Sequence, residues 1–353
     1  VRLEDERSRG RLRRKIVSLY LVLFAANLGA IVWALNLADR RPLLLAAAVL
    51  AFGLGLRHAL DADHIAAIDN VTRRLMQAGQ RPVGVGLFFS LGHASVVVLA
   101  TVGAGLAAGA FRTQVFALQQ VGSVVGTLVS SAFLLIVAAM NIAVLFSIWR
   151  ALRRTRKADG LEGPAEHDAP PMAAGPLTSM MRPLLSRLSH SWMMFPLGFL
   201  FGLGFDTATE IGLLSLSAVE SAKGLPLASI LVFPALFTAA MALVDASDSL
   251  MMLGVYGWAA RRPASKLYYN LAVTAASVLI AVAIGVVQLF QLAGSQLAGA
   301  QLGQWPAVSA PATALSALLS SHPEDVGGGV ALAFALLWGG FASASLLRRR
   351  VAR

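Results

Sequence analysis

An all-α membrane protein with eight transmembrane helices is the fold class that this sequence predicts. Three observations predict it. Apolar runs of about 20 residues or more recur along the chain, the length a helix needs to cross the hydrocarbon layer. Hydrophobic residues make up 57% of the 353 and charged residues only 13%, with a mean hydropathy of +0.70; a soluble domain carries about 25% charged residues. The basic residues gather between the apolar runs. Helices satisfy their own backbone hydrogen bonds in lipid. A closed barrel would show segments of about 10 residues alternating in polarity, and these runs do not alternate.

The elements follow in order, their edges set by polar flanks. A charged N-tail (1–15) precedes the first span, 16–37. That run is about 22 residues long, too long for the apolar part of a signal peptide, so it is expected to be retained. The second span, 43–70, opens after Arg40-Arg41-Pro42 and closes before Arg73-Arg74. The third (83–109) and fourth (121–149) follow, the fourth closed by the basic stretch from Arg150 to Lys157. A basic, then Pro/Ala/Gly-rich loop (150–191) reads as a flexible cytoplasmic linker between two halves, 16–149 and 192–347. The second half holds spans 192–219, 226–258, 268–292 and 326–347, before a C-tail at 348–353. The segment 293–325 reads as an external loop with room for a surface helix.

With both termini on one side, that side holds 24 of the 29 Lys and Arg residues. This places both termini in the cytoplasm. The formal charge of +11 is explained by that bias and not by nucleic acid, because the basic residues flank spans and share no domain. The absence of cysteine excludes thiolate metal sites, disulfides and iron–sulfur clusters.

Ionisable residues nonetheless enter the apolar spans, in four short motifs. RHALDADHI carries Arg57, His58, Asp61, Asp63 and His64. LGHASVV carries His93, GLGFDTATEIG carries Asp206 and Glu210, and ALVDASDSLMM carries Asp245 and Asp248. Charge in hydrocarbon costs several kcal/mol per group unless it meets a wet cavity, a partner or an ion. At about 1.5 Å per residue, all four motifs reach a similar depth near the bilayer midplane. Structural polar residues would scatter in depth. A lone buried histidine is ordinarily a hydrogen-bonding core residue, but so many acids and imidazoles at one level imply a path for a divalent cation.

Spacing within the motifs adds detail. Asp206 and Glu210 are four residues apart, and Asp245 and Asp248 three apart, each pair on one helix face. His58 and His64 on an unbroken helix would stand about 9 Å apart along the axis, a poor chelating distance. Either the helix is broken there, or the two histidines serve successive ion positions. Phe52-Gly-Leu-Gly in the second span recurs as Phe201-Gly-Leu-Gly in the fifth. The two spans run in opposite directions, as an inverted three-helix repeat requires; chance similarity between Gly/Ala-rich helices is the alternative. Arg57 is expected to neutralise Asp61 or Asp206, and Asp69 to be an ordinary charge at the cytoplasmic edge. Imidazole with carboxylate and no thiolate suits a borderline divalent metal, and the Irving–Williams order leaves selection against copper to geometry.

These motifs resemble those of the nickel/cobalt transporter family (NiCoT). The family's second helix carries a His, four residues, then Asp-His; here these are His58, Asp63 and His64. FFSLGHASVV, LGFDTATEI and ALVDASDS resemble the third-, fifth- and sixth-helix motifs, and Asn27 matches an Asn of the first by its position. The resemblance covers nearly the whole chain. Ala94 stands where Ser is common, and Ala246, Ser247 and Ser249 stand where Thr and Gly are commoner. The resemblance implies uptake of Ni²⁺ or Co²⁺ across the bacterial inner membrane as transported substrate, with no cofactor. The metal set it implies, together with the spacing, is Asn27, His58, Asp61, Asp63, His64, His93, Asp206, Glu210, Asp245 and Asp248. A histidine-rich loop of the kind found in nickel efflux proteins is missing, which favours uptake. The rival classes are an efflux pump or channel for the same metals and an intramembrane metalloenzyme. The sequence has neither HExxH nor a P-loop of the form GxxxxGK[ST].

Overall fold

The computed structural model describes residues 2–39, 41–106, 112–157, 190–204, 207–259, 274–275, 277–290 and 292–293. Helices account for its architecture, and no strand occurs among the described residues. In chain order the helices are α1 (Arg2–Ala38), α2 (Leu44–His58), α3 (Ala62–Gln77), α4 (Val85–Leu106) and α5 (Arg112–Lys157). After a single 3₁₀ turn (Ser191–Met193) come α6 (Met194–Gly202), α7 (Ala208–Ala222), α8 (Leu227–Ile230) and α9 (Val232–Ala259). A shorter apolar helix, α10 (Ser277–Phe290), follows.

Four stretches are long and apolar enough to cross a membrane: Gly10–Ala38, Val85–Gly103, Val121–Ala143 and Leu227–Gly254. A fifth arises if α2 and α3, bent by 51° at their junction, form one span. The expected span 326–347, the segment 293–325 past its first residue, the start of the expected span 268–292 (268–273), Asp206, and the linker beyond α5 up to residue 189 lie outside the described residues. Leu21, Val22, Phe24 and Leu28 of α1 stay exposed, as lipid-facing side chains do.

Small residues set how closely the helices approach. Gly198 and Gly202 form a GxxxG pair on α6. A Cβ at either would run into the backbone of α4, at Phe89 and at His93 respectively. On α4, Gly86 is pressed against the backbone of Asp245 on α9 in the same way. In lipid, helix association relies on such close packing rather than on a hydrophobic driving force. The contacts fix α4 between α6 and α9, with His93 at the meeting point. Phe233 and Phe237 of α9, fully buried, pack with Ala51 of α2 and Leu213 of α7 in the main apolar cluster.

Of the two alternatives for the second span, the structure has the broken helix, and one expectation there is corrected. α2 ends at His58, and Asp61 (φ −64°, ψ 139°) is extended before α3 begins. Asp69 and Arg73 do not mark an aqueous edge. Both lie within α3, 0% and 4% exposed, because α5 and the α10 segment cover that face. The fifth span is interrupted too. α6 ends at Gly202, and extended Thr207 (φ −93°, ψ 142°) precedes α7. Both second halves, α3 and α7, end at a glycine with positive φ, Gly79 (79°) and Gly224 (80°). There the backbone closes the Schellman pattern, with Gln80 N–H on Leu75 O and Leu225 N–H on Glu220 O.

Candidate metal centre

Three imidazoles from three helices meet at the break between α2 and α3. His58 is the last residue of α2, His64 lies in the first turn of α3, and His93 lies midway along α4. One nitrogen from each falls within 4.8 Å of the others. All three side chains are buried, at 1%, 1% and 3% exposure. The break removes the axial separation that an unbroken helix would impose, and the His58 and His64 rings are centred 4.6 Å apart.

Each imidazole has its own carboxylate. His58 Nδ1 lies 3.0 Å from Asp61 Oδ2, and Thr209 Oγ1 is 2.9 Å from the same nitrogen. His64 Nδ1 lies 3.3 Å from Asp245 Oδ2, which also accepts a 2.6 Å hydrogen bond from Ser90 Oγ. His93 Nε2 lies 2.8 Å from Glu210 Oε1. On His64 the carboxylate takes Nδ1 and leaves Nε2 open, the arrangement that supports histidine ligands in metal sites; His58 Nδ1 is held by the Thr209 hydroxyl with Asp61 alongside, and on His93 the carboxylate and the His58 ring share Nε2. His64 Nε2 and His93 Nδ1 are buried with no hydrogen-bond partner, an expensive state for a polar atom unless something else binds there.

The centre of the cluster is crowded with acceptors. His93 Nε2 is 2.8 Å from His58 Nε2 as well as 2.8 Å from Glu210 Oε1. One N–H cannot serve both well. A cation in place of the shared proton would meet two imidazole nitrogens and a carboxylate oxygen.

The other expected residues are placed differently. Asp63 Oδ1 accepts from the His64 backbone N–H, and Gln288 of α10 donates to Oδ2 at 3.4 Å. Its side chain therefore lies between the start of α3 and α10. Asp248, half-buried, lies one turn beyond Asp245 on α9, and its Oδ2 has no partner. Asn27 donates to Leu23 O (2.8 Å) and to Ala239 O (3.0 Å), tying α1 to α9.

Sequence reasoning overlooked three hydroxyls. Thr207 Oγ1 accepts from Glu210 N–H as the N-cap of α7 and donates to Glu210 Oε2 at 3.1 Å. Thr209 and Ser90 orient His58 and Asp245. The signal for Thr207 was present: Thr207-Ala-Thr-Glu210 has the spacing of a capping box. Ser90 stands three residues before His93, on the same helical face.

The geometry is accompanied by similarity to known proteins. The family described as "NicO: High-affinity nickel-transport protein" matches residues 44–341. A "High-affinity nickel transport protein" of Cupriavidus necator is 50% identical over 285 residues, 81% of each chain. The "Hydrogenase nickel incorporation protein HupN" of Bradyrhizobium diazoefficiens is 45% identical over 348 residues, 99% of this chain and 88% of that one. The "Cobalt transport protein NhlF" of Rhodococcus rhodochrous is 38% identical over 295 residues, 83% and 80% of the two chains. No solved structure matches the chain. With apolar spanning helices, a buried histidine cluster, a family match over most of its length and relatives at this identity, the chain belongs to the NicO family of nickel/cobalt transporters.

Proposed function

We propose that the chain takes up Ni²⁺ and Co²⁺ across the bacterial inner membrane by alternating access around the three-histidine cluster. The observation that carries this reading is the meeting of His58, His64 and His93 within 4.8 Å, each backed by a carboxylate from a different place in the fold. The metal exchanges part of its water shell for the imidazoles. Asp61, Asp245 and Glu210 hold the rings and balance the ion's charge. Asp63, Asp206 and Asp248 line the approaches, and Asn27 holds α1 against α9. The mixture of imidazole and carboxylate suits a borderline divalent ion, and relatives are named for nickel and for cobalt.

The breaks at 58–61 and before Thr207 supply hinges. Both lie at or just after a Phe-Gly-Leu-Gly sequence, which supports an inverted repeat within an eight-helix transporter, with the site where the halves meet. The Lys/Arg bias supports both termini in the cytoplasm. A potential of 100 mV contributes about 4.6 kcal/mol to the entry of a doubly charged ion, so inward movement needs no nucleotide. The relatives' names describe transport, and the reading is of a transporter rather than an enzyme.

The test is ⁶³Ni accumulation in cells expressing the wild type or His58→Ala, with unlabelled cobalt as competitor. His58→Ala is expected to abolish high-affinity accumulation. Accumulation equal to wild type would remove the histidine cluster from the pathway, and metal loss on expression would point to efflux.

A further inference from the structure

Past His64, α3 continues toward the turn at 78–84 with two unlike faces. Ile68, Val71 and Leu75 pack with Phe89 and Met194 in an apolar cluster. Asp69, Asn70 and Arg73 form a buried polar cluster that the histidine site does not use. Arg73 donates from Nη1 to Thr274 Oγ1 (3.0 Å), and from Nη2 to Asn70 Oδ1 (2.8 Å) and Asp69 Oδ2 (3.4 Å). Asn141 of α5 donates to the same Asn70 oxygen (2.6 Å), and Ser277 of α10 donates to the same Asp69 oxygen (2.7 Å).

The cluster lies in line with the metal centre. Asp69 is five residues past His64, about 7.5 Å along the helix, and Arg73 about 13.5 Å. On α9, Asp248 is one turn past Asp245, the carboxylate in contact with His64. Acids thus step from the histidines toward the 78–84 end of the molecule, and a guanidinium closes the series.

The ion pair is poorly built for stability alone. Burying a charge pair is a weak route to stability even with good geometry. This one uses a single N–H at 3.4 Å, not the two-pronged fork that arginine makes with a carboxylate when the pair is strong. Arg73 Nε has no partner. The guanidinium also holds two neutral acceptors, so it can part from Asp69 and remain bonded.

We propose that Arg73 is the gate residue of the metal path at the 78–84 end. It occupies Asp69 while that end is closed, and it yields Asp69 to the divalent ion arriving by way of Asp248. Arg73 is then a tethered cation standing where the transported one must pass. This inference rests on the transport reading above.

The chain has no cysteine, so Ser277→Cys introduces a single thiol beside the gate. Vesicles of both orientations are treated with a membrane-impermeant maleimide, with and without Ni²⁺. With Arg73 present, labelling is expected to be slow without metal and faster with it, from the side of the 78–84 turn. With Asp69→Asn and Arg73→Gln added together, labelling from that side is expected to be fast without metal, roughly tenfold or more, because the open form is no longer a minor state. The double change removes both members of the pair together, so neither charge is stranded by loss of the other. Arg73→Lys keeps the charge and is expected to keep the closed form. Equal, slow labelling in the wild-type and double-variant backgrounds overturns the gate. ⁶³Ni flux in the same vesicles is read separately. No flux in wild type with the labelling difference intact would sink the transport reading and leave the gate standing; normal flux and slow labelling in the double variant would sink the gate alone.

Discussion

The break between α2 and α3 and the break between α6 and α7 are built alike and used differently. Each lies at or just after Phe-Gly-Leu-Gly, each re-enters helix from an extended residue, and each second half ends at a glycine with positive φ. In each, the third residue after the extended one reaches the histidine cluster: His64 in the first, Glu210 in the second. The difference lies in the cap. Thr207 gives its hydroxyl to the helix, accepting from Glu210 N–H. Asp61 is an equally good capping type, yet it makes no cap hydrogen bond, and its carboxylate lies 3.0 Å from His58 Nδ1. One break uses its cap oxygen to start a helix, and at the other the cap oxygen lies against an imidazole. The first therefore supplies imidazoles, and the second supplies the acid and hydroxyls that hold them.

Four substitutions test that contrast. The largest effect is expected at Glu210→Gln. It leaves the α7 cap in place and removes the carboxylate from His93, so the apparent metal affinity in ⁶³Ni uptake should fall about 10–100-fold. An unchanged KM would mean that the second break does not serve the site.

Next come the two caps, taken as a pair. Thr207→Ala should lower the stability of the purified protein by about 1 kcal/mol. Asp61→Asn should leave the thermal midpoint close to wild type and raise the KM of uptake, because its oxygen supports His58 rather than the helix. Equal losses of thermal midpoint would erase the distinction drawn here. The smallest effect is expected at Asn27→Ala, outside both breaks. Among the described residues its amide nitrogen donates to backbone carbonyls of α1 and α9. Stability should fall by about 1 kcal/mol, while the ratio of nickel to cobalt in competition uptake stays the same. A changed ratio would put Asn27 back among the groups that touch the ion.

Much of the site was legible one residue at a time. His58, His64, His93, Glu210 and Asp245 stand out because ionisable groups are costly in apolar spans, and the helical rise converts their positions into a common depth. The hydroxyls of Ser90, Thr207 and Thr209 did not stand out, since serine and threonine inside a membrane helix usually bond to their own backbone. Ser95, Thr101 and Ser217 do so here. Asp69 and Arg73 were misjudged for a related reason. A charged stretch after an apolar run looks the same whether water or another helix covers it.

By itself the sequence determined that the chain spans a membrane as helices, that acids and imidazoles lie at one level, and which metals such groups prefer. These follow from composition, periodicity and ligand chemistry, which are local properties. Only the tertiary structure decided that the helix parts after His58, that Asp61 turns from its cap to an imidazole, and that Arg73 is enclosed beside Asp69. Each depends on what packs alongside, α4 and α9 at the break and α5 with α10 at the arginine, and a contact between segments distant in the chain leaves no mark on the residues between them.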